Sequence, residues 1–167
     1  NWKYKKGIRE ASIPINLWRE LDFVEDEEWI QGQTPIGYGD EDDNTILDDM
    51  RGSDFEFSEA YTSVYFRKKF NVERGNIPAR LLLKSYIDDG AIIWINGVEV
   101  ARLYVEENTK SFDETANNHE AIWESIIIGR ANLLLKEGEN IIAVHALNRN
   151  LSSSDFSFDL ELMSAPF

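Results

Sequence analysis

From Thr62 to Val72 the chain alternates. Val64, Phe66, Phe70 and Val72 fall on one side of an extended backbone, and Tyr65, Arg67, Lys69 and Asn71 on the other. Successive side chains of a strand point to opposite faces, so this spacing predicts a strand with one face in a core and the other toward water. Arg80 to Ile87 and Ala91 to Ile95 read as two further strands joined by a tight Asp88-Asp89-Gly90 turn. In Ile95-Asn96-Gly97-Val98, an Asn-Gly pair stands between apolar runs. Both central residues of a type I′ turn need positive φ, which Asn and Gly tolerate best, so a hairpin is expected there. Strands are also expected at Ile122 to Ile128, at Asn140 to Asn148 and at Asp155 to Met163. The last of these alternates, with Phe156, Phe158, Leu160 and Leu162 on one face. Asn140 to Leu147 is apolar on both faces, which marks a central strand covered from two sides and requires two packed layers.

Helical periodicity is sustained nowhere. The pattern predicts an all-β chain, an antiparallel two-sheet β-sandwich, with residues 1–167 forming one domain. The first sixty residues are less regular. Pro14, Pro35 and several glycines interrupt them, Trp18 and Trp29 stand as isolated anchors, and an edge strand plus long loops is expected. No apolar run approaches the ~18 residues of a membrane-spanning helix. The first six residues, Asn-Trp-Lys-Tyr-Lys-Lys, carry no signal-peptide core.

Charge narrows the partners. The 17 basic and 31 acidic residues give a formal net charge of -14. Phosphate backbones are held by clustered Lys and Arg, so nucleic acid is a poor partner for this chain. The imbalance is local: Asp22 to Glu59 holds 14 acidic residues against Arg51 alone. The absence of cysteine excludes disulfides and thiolate chemistry, and His119 and His145 alone argue against a multi-histidine metal centre.

Four passages carry a resemblance. They are Trp29 to Asp40, with the pattern W-x-x-G-x-x-P-x-G-Y-G; Tyr65-Phe66-Arg67-Lys68-Lys69-Phe70; Ile87 to Arg102, with D-D-G-A-x-x-x-x-N-G-x-E-V-x-R; and Gly138 to His145. A closing S-S-D-x-x-F-D follows at Ser153 to Asp159. In this order they resemble the jelly-roll modules of galactose-binding-like fold that stand beside catalytic and adhesion domains in large secreted bacterial proteins. The Asn-Gly hairpin followed by G-x-N-x-x-A-V is also similar to the non-catalytic sugar-binding domain that precedes the barrel in many glycosidases. Where many members have V-H-Q, this chain has Ala146-Leu147-Asn148 and matches the H-x-L-N variant. The resemblance implies a galactose-binding-domain-like jelly roll in an extracellular or cell-surface protein. It implies a monomeric, non-catalytic, lectin-like module, partnered by a polysaccharide or oligosaccharide and by a neighbouring domain of its parent chain. That family is functionally mixed, and a structural spacer is the alternative.

Candidate site residues follow from chemistry, each beside a plainer reading. Aromatic planes stack on the apolar faces of sugars, which nominates Trp29, Tyr38, Trp94 and Trp123. Tyr38, in a Gly-flanked loop, is the one expected to be exposed, and Trp94 the one expected in the core. Asp89, Arg102, His145 and Asn148 offer hydrogen bonds to sugar hydroxyls; the plainer readings are turn chemistry for Asp88-Asp89-Gly90, a buried Arg102 paired with Asp88 or Asp89, and a core His145 bonded to backbone. Asp40, Asp42 and Asp43 suggest a structural calcium site outside the EF-hand pattern, against the reading of a solvated acidic loop. Ser152-Ser153-Ser154-Asp155 with His145 supplies the residue types of a hydrolase triad but neither a nucleophile elbow nor an oxyanion hole, so no catalytic residue is assigned.

Overall fold

The computed structural model describes residues 1–52, 60–109 and 111–165; Asp54, Glu56 and Glu59 of the acidic segment lie outside them. Two sheets face each other. One has six strands: β1 (Trp2–Lys6), β2 (Ile30–Gly32), β5 (Ser63–Val72), β7 (Gly90–Ile95), β8 (Val98–Leu103) and β10 (Gly138–Leu147). Their spatial order is β2-β1-β5-β10-β7-β8. The other has five strands, β3 (Ile36–Tyr38), β4 (Thr45–Ile46), β6 (Arg80–Asp88), β9 (Trp123–Gly129) and β11 (Phe156–Ser164), in the order β4-β3-β11-β6-β9. All pairings are antiparallel except β3 with β4. The fold is the expected β-sandwich. No helix among the described residues is long and apolar enough to cross a membrane.

The inter-sheet core takes the inward residues of both layers. Val64 and Phe66 of β5, Ile93 and Ile95 of β7, Ile142 and Val144 of β10, and Phe156 and Phe158 of β11 are all buried in it. Phe66 and Phe158 stack across the gap at 3.8 Å between ring centroids. Burying side chains of this kind contributes ~1.5–3 kcal/mol each, so this layer carries most of the stability. The predicted hairpin forms at Asn96 and Gly97, whose φ values of 48° and 78° are those of a type I′ turn. Asn96 also ties the sheet edge together. Its amide donates to the Leu134 carbonyl and to Asn140 Oδ1, and its Oδ1 accepts from the Ile141 N–H.

Three expectations need correction. β5 is not half-exposed along its first half, because Tyr65 and Arg67 are both 1 % exposed. They lie under residues 7–29, which cross the outer face of the six-stranded sheet and bury a second cluster of Ala11, Trp18, Trp29, Tyr65, Ile92, Trp94, Ala143 and Leu147. The first sixty residues hold more than one edge strand: β2 and β4 do lie at sheet edges, but β1 pairs with both β2 and β5, and β3 with β4 and β11. Asp88-Asp89-Gly90 does not close a hairpin. β6 and β7 belong to different sheets, and the chain crosses between them through a cis Asp88–Asp89 peptide. Local turn chemistry and a sheet-to-sheet crossing use the same residue types, and only the strand partners distinguish them.

Two buried cations fasten residues 7–29 to the sheet. Lys5 reaches Asp26 and Glu28, both at 2.8 Å. The Arg67 side chain, with no exposed surface, donates from Nε to Glu25 at 3.0 Å and from Nη1 to the Trp18 and Glu20 carbonyls. Its guanidinium lies against Phe23 and Trp29. Charges this deep persist where hydrogen bonds replace most of their lost water, and although Arg67 Nη2 finds no acceptor, the remaining contacts pin the segment to the sheet.

Candidate functional site

The candidate residues divide into three places. At the first, the end of the sandwich where β6 crosses to β7, Asp89 is buried and fully used: Oδ1 accepts from the His119 N–H at 2.9 Å and Oδ2 from the Arg149 N–H at 2.7 Å. Asn148, 1 % exposed, donates to the Tyr38 hydroxyl at 3.1 Å and to the Asp155 carbonyl at 3.0 Å. The Tyr38 hydroxyl in turn donates to the Ser153 carbonyl at 3.0 Å. Asp89, Asn148 and Tyr38 therefore tie loops to the sandwich. Tyr38 is not on an exposed loop; it ends β3, whose pairing with β11 buries the ring.

Beside this network stand Asp88, Glu120 and Asp155, each offering a carboxylate oxygen within 4.8 Å of the others. Burial, followed by the charges of Asp89, Asp155 and Glu120, pushes the Asp88 carboxyl up to about 7. An anion held where water and counter-charge are short is one whose ionised form a cation would relieve. The trio expected from sequence does not form such a set. Asp40, Asp42 and Asp43 are not gathered to this distance, and Asp40 instead accepts from the Ser157 hydroxyl at 3.2 Å. Asp43 has both carboxylate oxygens buried without a hydrogen-bond partner, and burial, then Asp42 and Asp40, pushes it up to about 6. The Asp88, Glu120 and Asp155 group is spread over 67 positions of sequence, from Asp88 to Asp155, so no run of acidic residues marks it.

The second place is the outer face of the six-stranded sheet. His145, on β10, is buried at 2 % exposure and stacks on Tyr65 at 4.3 Å. Burial, with the nearby Arg19 and Arg102 charges, pushes it down to about 3, so the imidazole is neutral. Trp29 is 3 % exposed and packs against Trp18 and Phe23. Arg102, on edge strand β8, forks onto both Glu99 oxygens at 2.8 and 2.9 Å and also donates to the Glu106 carbonyl. It does not pair with Asp88 or Asp89. Of the residues nominated for sugar binding, Trp29, Trp94, Arg102 and His145 share this face, while Tyr38, Asp89 and Asn148 lie together at the end of the sandwich. Trp94 is buried as expected, but in the second cluster rather than between the sheets.

The third place is the outer face of the five-stranded sheet. Trp123 is 52 % exposed at the start of β9 and leans on Tyr86, the opposite residue of β6, at 5.5 Å. Two rows further along, Ile127, Leu82 and Met163 sit side by side across β9, β6 and β11. The signal for this stripe was present in the sequence, since Trp123, Ser125 and Ile127 share one parity of a strand. Nothing local showed that this face lacks a cover.

No protein-family model matches the chain, and no curated protein matches it. Solved structures resemble it in fold. Over 96 % of this chain it is similar to a calcium-binding mutant of Bacteroides uniformis beta-glucuronidase 2, at 17 % identity and a TM-score of 0.59. An uncultured Clostridium sp. beta-glucuronidase matches 88 % of the chain at 22 % identity and a TM-score of 0.51. A Bifidobacterium dentium beta-glucuronidase complexed with coumarin-3-O-glucuronide matches 87 % at 16 % identity and the same TM-score. The chain spans only 17 %, 21 % and 18 % of those three chains, so it corresponds to a β-sandwich part of much larger proteins.

Proposed function

We propose that the chain is a non-catalytic carbohydrate-binding module that holds a tethered enzyme near polysaccharide, outside the cell or at its surface. The observation that carries this reading is the fold likeness to a minor part of glycoside-cleaving chains over nearly the whole of this one. Such a module works by effective concentration and so requires no strong single contact. Trp123 over Tyr86 is the exposed aromatic pair that suits a pyranose face. A structural calcium ion belongs to the same reading, held by Asp88, Glu120 and Asp155, because hard cations take oxygen ligands and these carboxylates supply them. Affinity electrophoresis through gels carrying a panel of neutral and acidic polysaccharides tests the reading. Retardation by at least one glycan, reduced in Trp123→Ala, supports it, and unchanged mobility in all of them rejects it.

One observation favours a second reading, a packing domain with no ligand of its own. The stripe of Ile127, Leu82 and Met163 lies where β11 approaches its end, with Ser164 opposite Leu81. Exposed apolar rows of this kind suit contact with an adjoining domain. Under this reading Trp123→Ala leaves every glycan mobility unchanged, while joining the chain to its natural neighbour protects Ile127 and Met163 from solvent.

A further inference from the structure

A cleft of about 330 Å³ opens between the edge of the six-stranded sheet and residues 7–29. Ile15 and Arg19, Trp94 of β7, and Glu99, Arg102 and Thr109 line it. Its volume is at the small end of the ~300–1,000 Å³ typical of ligand pockets, enough for one ring-sized molecule.

Arg19 is the unusual member. Its guanidinium lies over the Trp94 ring at 4.0 Å, its Nε–H is buried with no acceptor, and among the described residues it forms no ion pair. The acids close to it are committed elsewhere. Glu99 is gripped by both Arg102 nitrogens. Glu10 accepts from the Tyr65 and Ser111 hydroxyls and from the Phe112 N–H. Burial disfavours the Arg19 cation. A guanidinium with its Nε–H buried without an acceptor and no acid paired to it is a costly arrangement, and the group that relieves it best is a carboxylate.

We infer that the Arg19–Trp94 cleft binds a carboxylate carried on a ring with one apolar face: the acid is held by Arg19, and the ring rests against Ile15 and the cleft wall. A uronic acid residue has this chemistry, and so does a simple alicyclic acid. The uronate form of the inference rests on the carbohydrate-binding reading; the carboxylate form does not. The chain's charge of -14 does not forbid an anion here. Charges beyond about 8 Å are largely screened at physiological salt, and the charged residues lining the cleft are two arginines and one glutamate.

The test is a titration of the isotope-labelled chain, read at the Arg19 Nε–H resonance, with methyl β-glucuronide, methyl β-glucoside and cyclohexanecarboxylate as probes. The inference expects the glucuronide to shift this signal and to bind at least about tenfold more tightly than the glucoside, the value of one charge-assisted hydrogen bond. Arg19→Gln should abolish the difference while leaving the thermal midpoint close to that of the parent. Arg102→Gln, at the rim, should weaken binding without abolishing it. Cyclohexanecarboxylate binding as tightly as the glucuronide supports the carboxylate site and assigns it to organic acids rather than sugars. Equal binding of glucuronide and glucoside, or glucuronide binding unchanged in Arg19→Gln, overturns the inference. So does the absence of any response to both acids, even where polysaccharide gels still retard the chain.

Discussion

Arg67 offers a sharp test of how residues 7–29 are held. Its side chain is fully buried, with one acid partner, Glu25, whose side chain keeps 24 % of its surface in water. Replacement by Met preserves the aliphatic stem and removes the charge. The loss is that of two carbonyl acceptors, Trp18 and Glu20, at roughly 1–3 kcal/mol for a buried group left unmade. Glu25 turns to solvent at little cost, and the desolvation of the guanidinium disappears, which offsets part of the loss. Arg67→Met should therefore destabilise by only about 1–2 kcal/mol. Glu25→Gln leaves the guanidinium buried without its counter-charge. Breaking a fully buried pair costs about 3–5 kcal/mol, and the partial exposure of Glu25 lowers this to roughly 2–3. Urea denaturation of both variants gives the order, and hydrogen exchange at residues 7–29 shows whether the segment has loosened. Arg67→Met costing more than about 4 kcal/mol while Glu25→Gln costs less than about 0.5 would refute the argument, because the cation would then act through packing alone.

Other outcomes follow from the same structure. Asp43 and Asp88 have carboxyl groups raised above the ordinary 3.8, so the stability they contribute is complete below that value and lost as pH rises through about 6 and about 7. Thermal midpoints should fall between pH 5 and pH 8, and Asp88→Asn should flatten that fall; a profile unchanged by the substitution would contradict the assignment. Millimolar calcium at pH 8 should raise the midpoint of the parent and not that of Asp155→Asn, since a ligand bound only by the native state stabilises it. Gly97→Ala forces a side chain into φ 78° and sets its Cβ against the Glu20 carboxylate, so it should cost about 1–2 kcal/mol by urea denaturation. Phe158→Ala opens a cavity against Phe66 and should cost about 3–5 kcal/mol in the same assay.

The sandwich was legible because each of its long strands carries its own period. Val64 with Phe66, and Phe156 with Phe158, declare an inward face, and Ala143 with Val144 declares a strand covered twice. Asn96-Gly97 names its turn outright. The outer layer was not legible, because Trp18 and Trp29 are isolated in an irregular, acidic stretch with no period to say what they cover. That cover is why Arg67, read as solvent-facing by alternation, is buried. What the nominated site residues do in the fold was hidden for a related reason. Tyr38, Asp89 and Asn148 were chosen for polar or aromatic chemistry, and the structure spends that chemistry on hydrogen bonds that tie loops together. Arg19 and Glu120 went unnoticed because their significance lies in which distant residues they face. Trp94 with Arg102 at the cleft, and Trp123 on the open face, were in view from the start.

Saturation-transfer NMR on the isolated chain, mixed with oligosaccharides from whichever polysaccharide retards it most, tests binding without turnover most directly. The account predicts transfer to sugar protons and an anomeric region unchanged after a day. Absence of transfer, or the growth of new reducing-end signals, would contradict it.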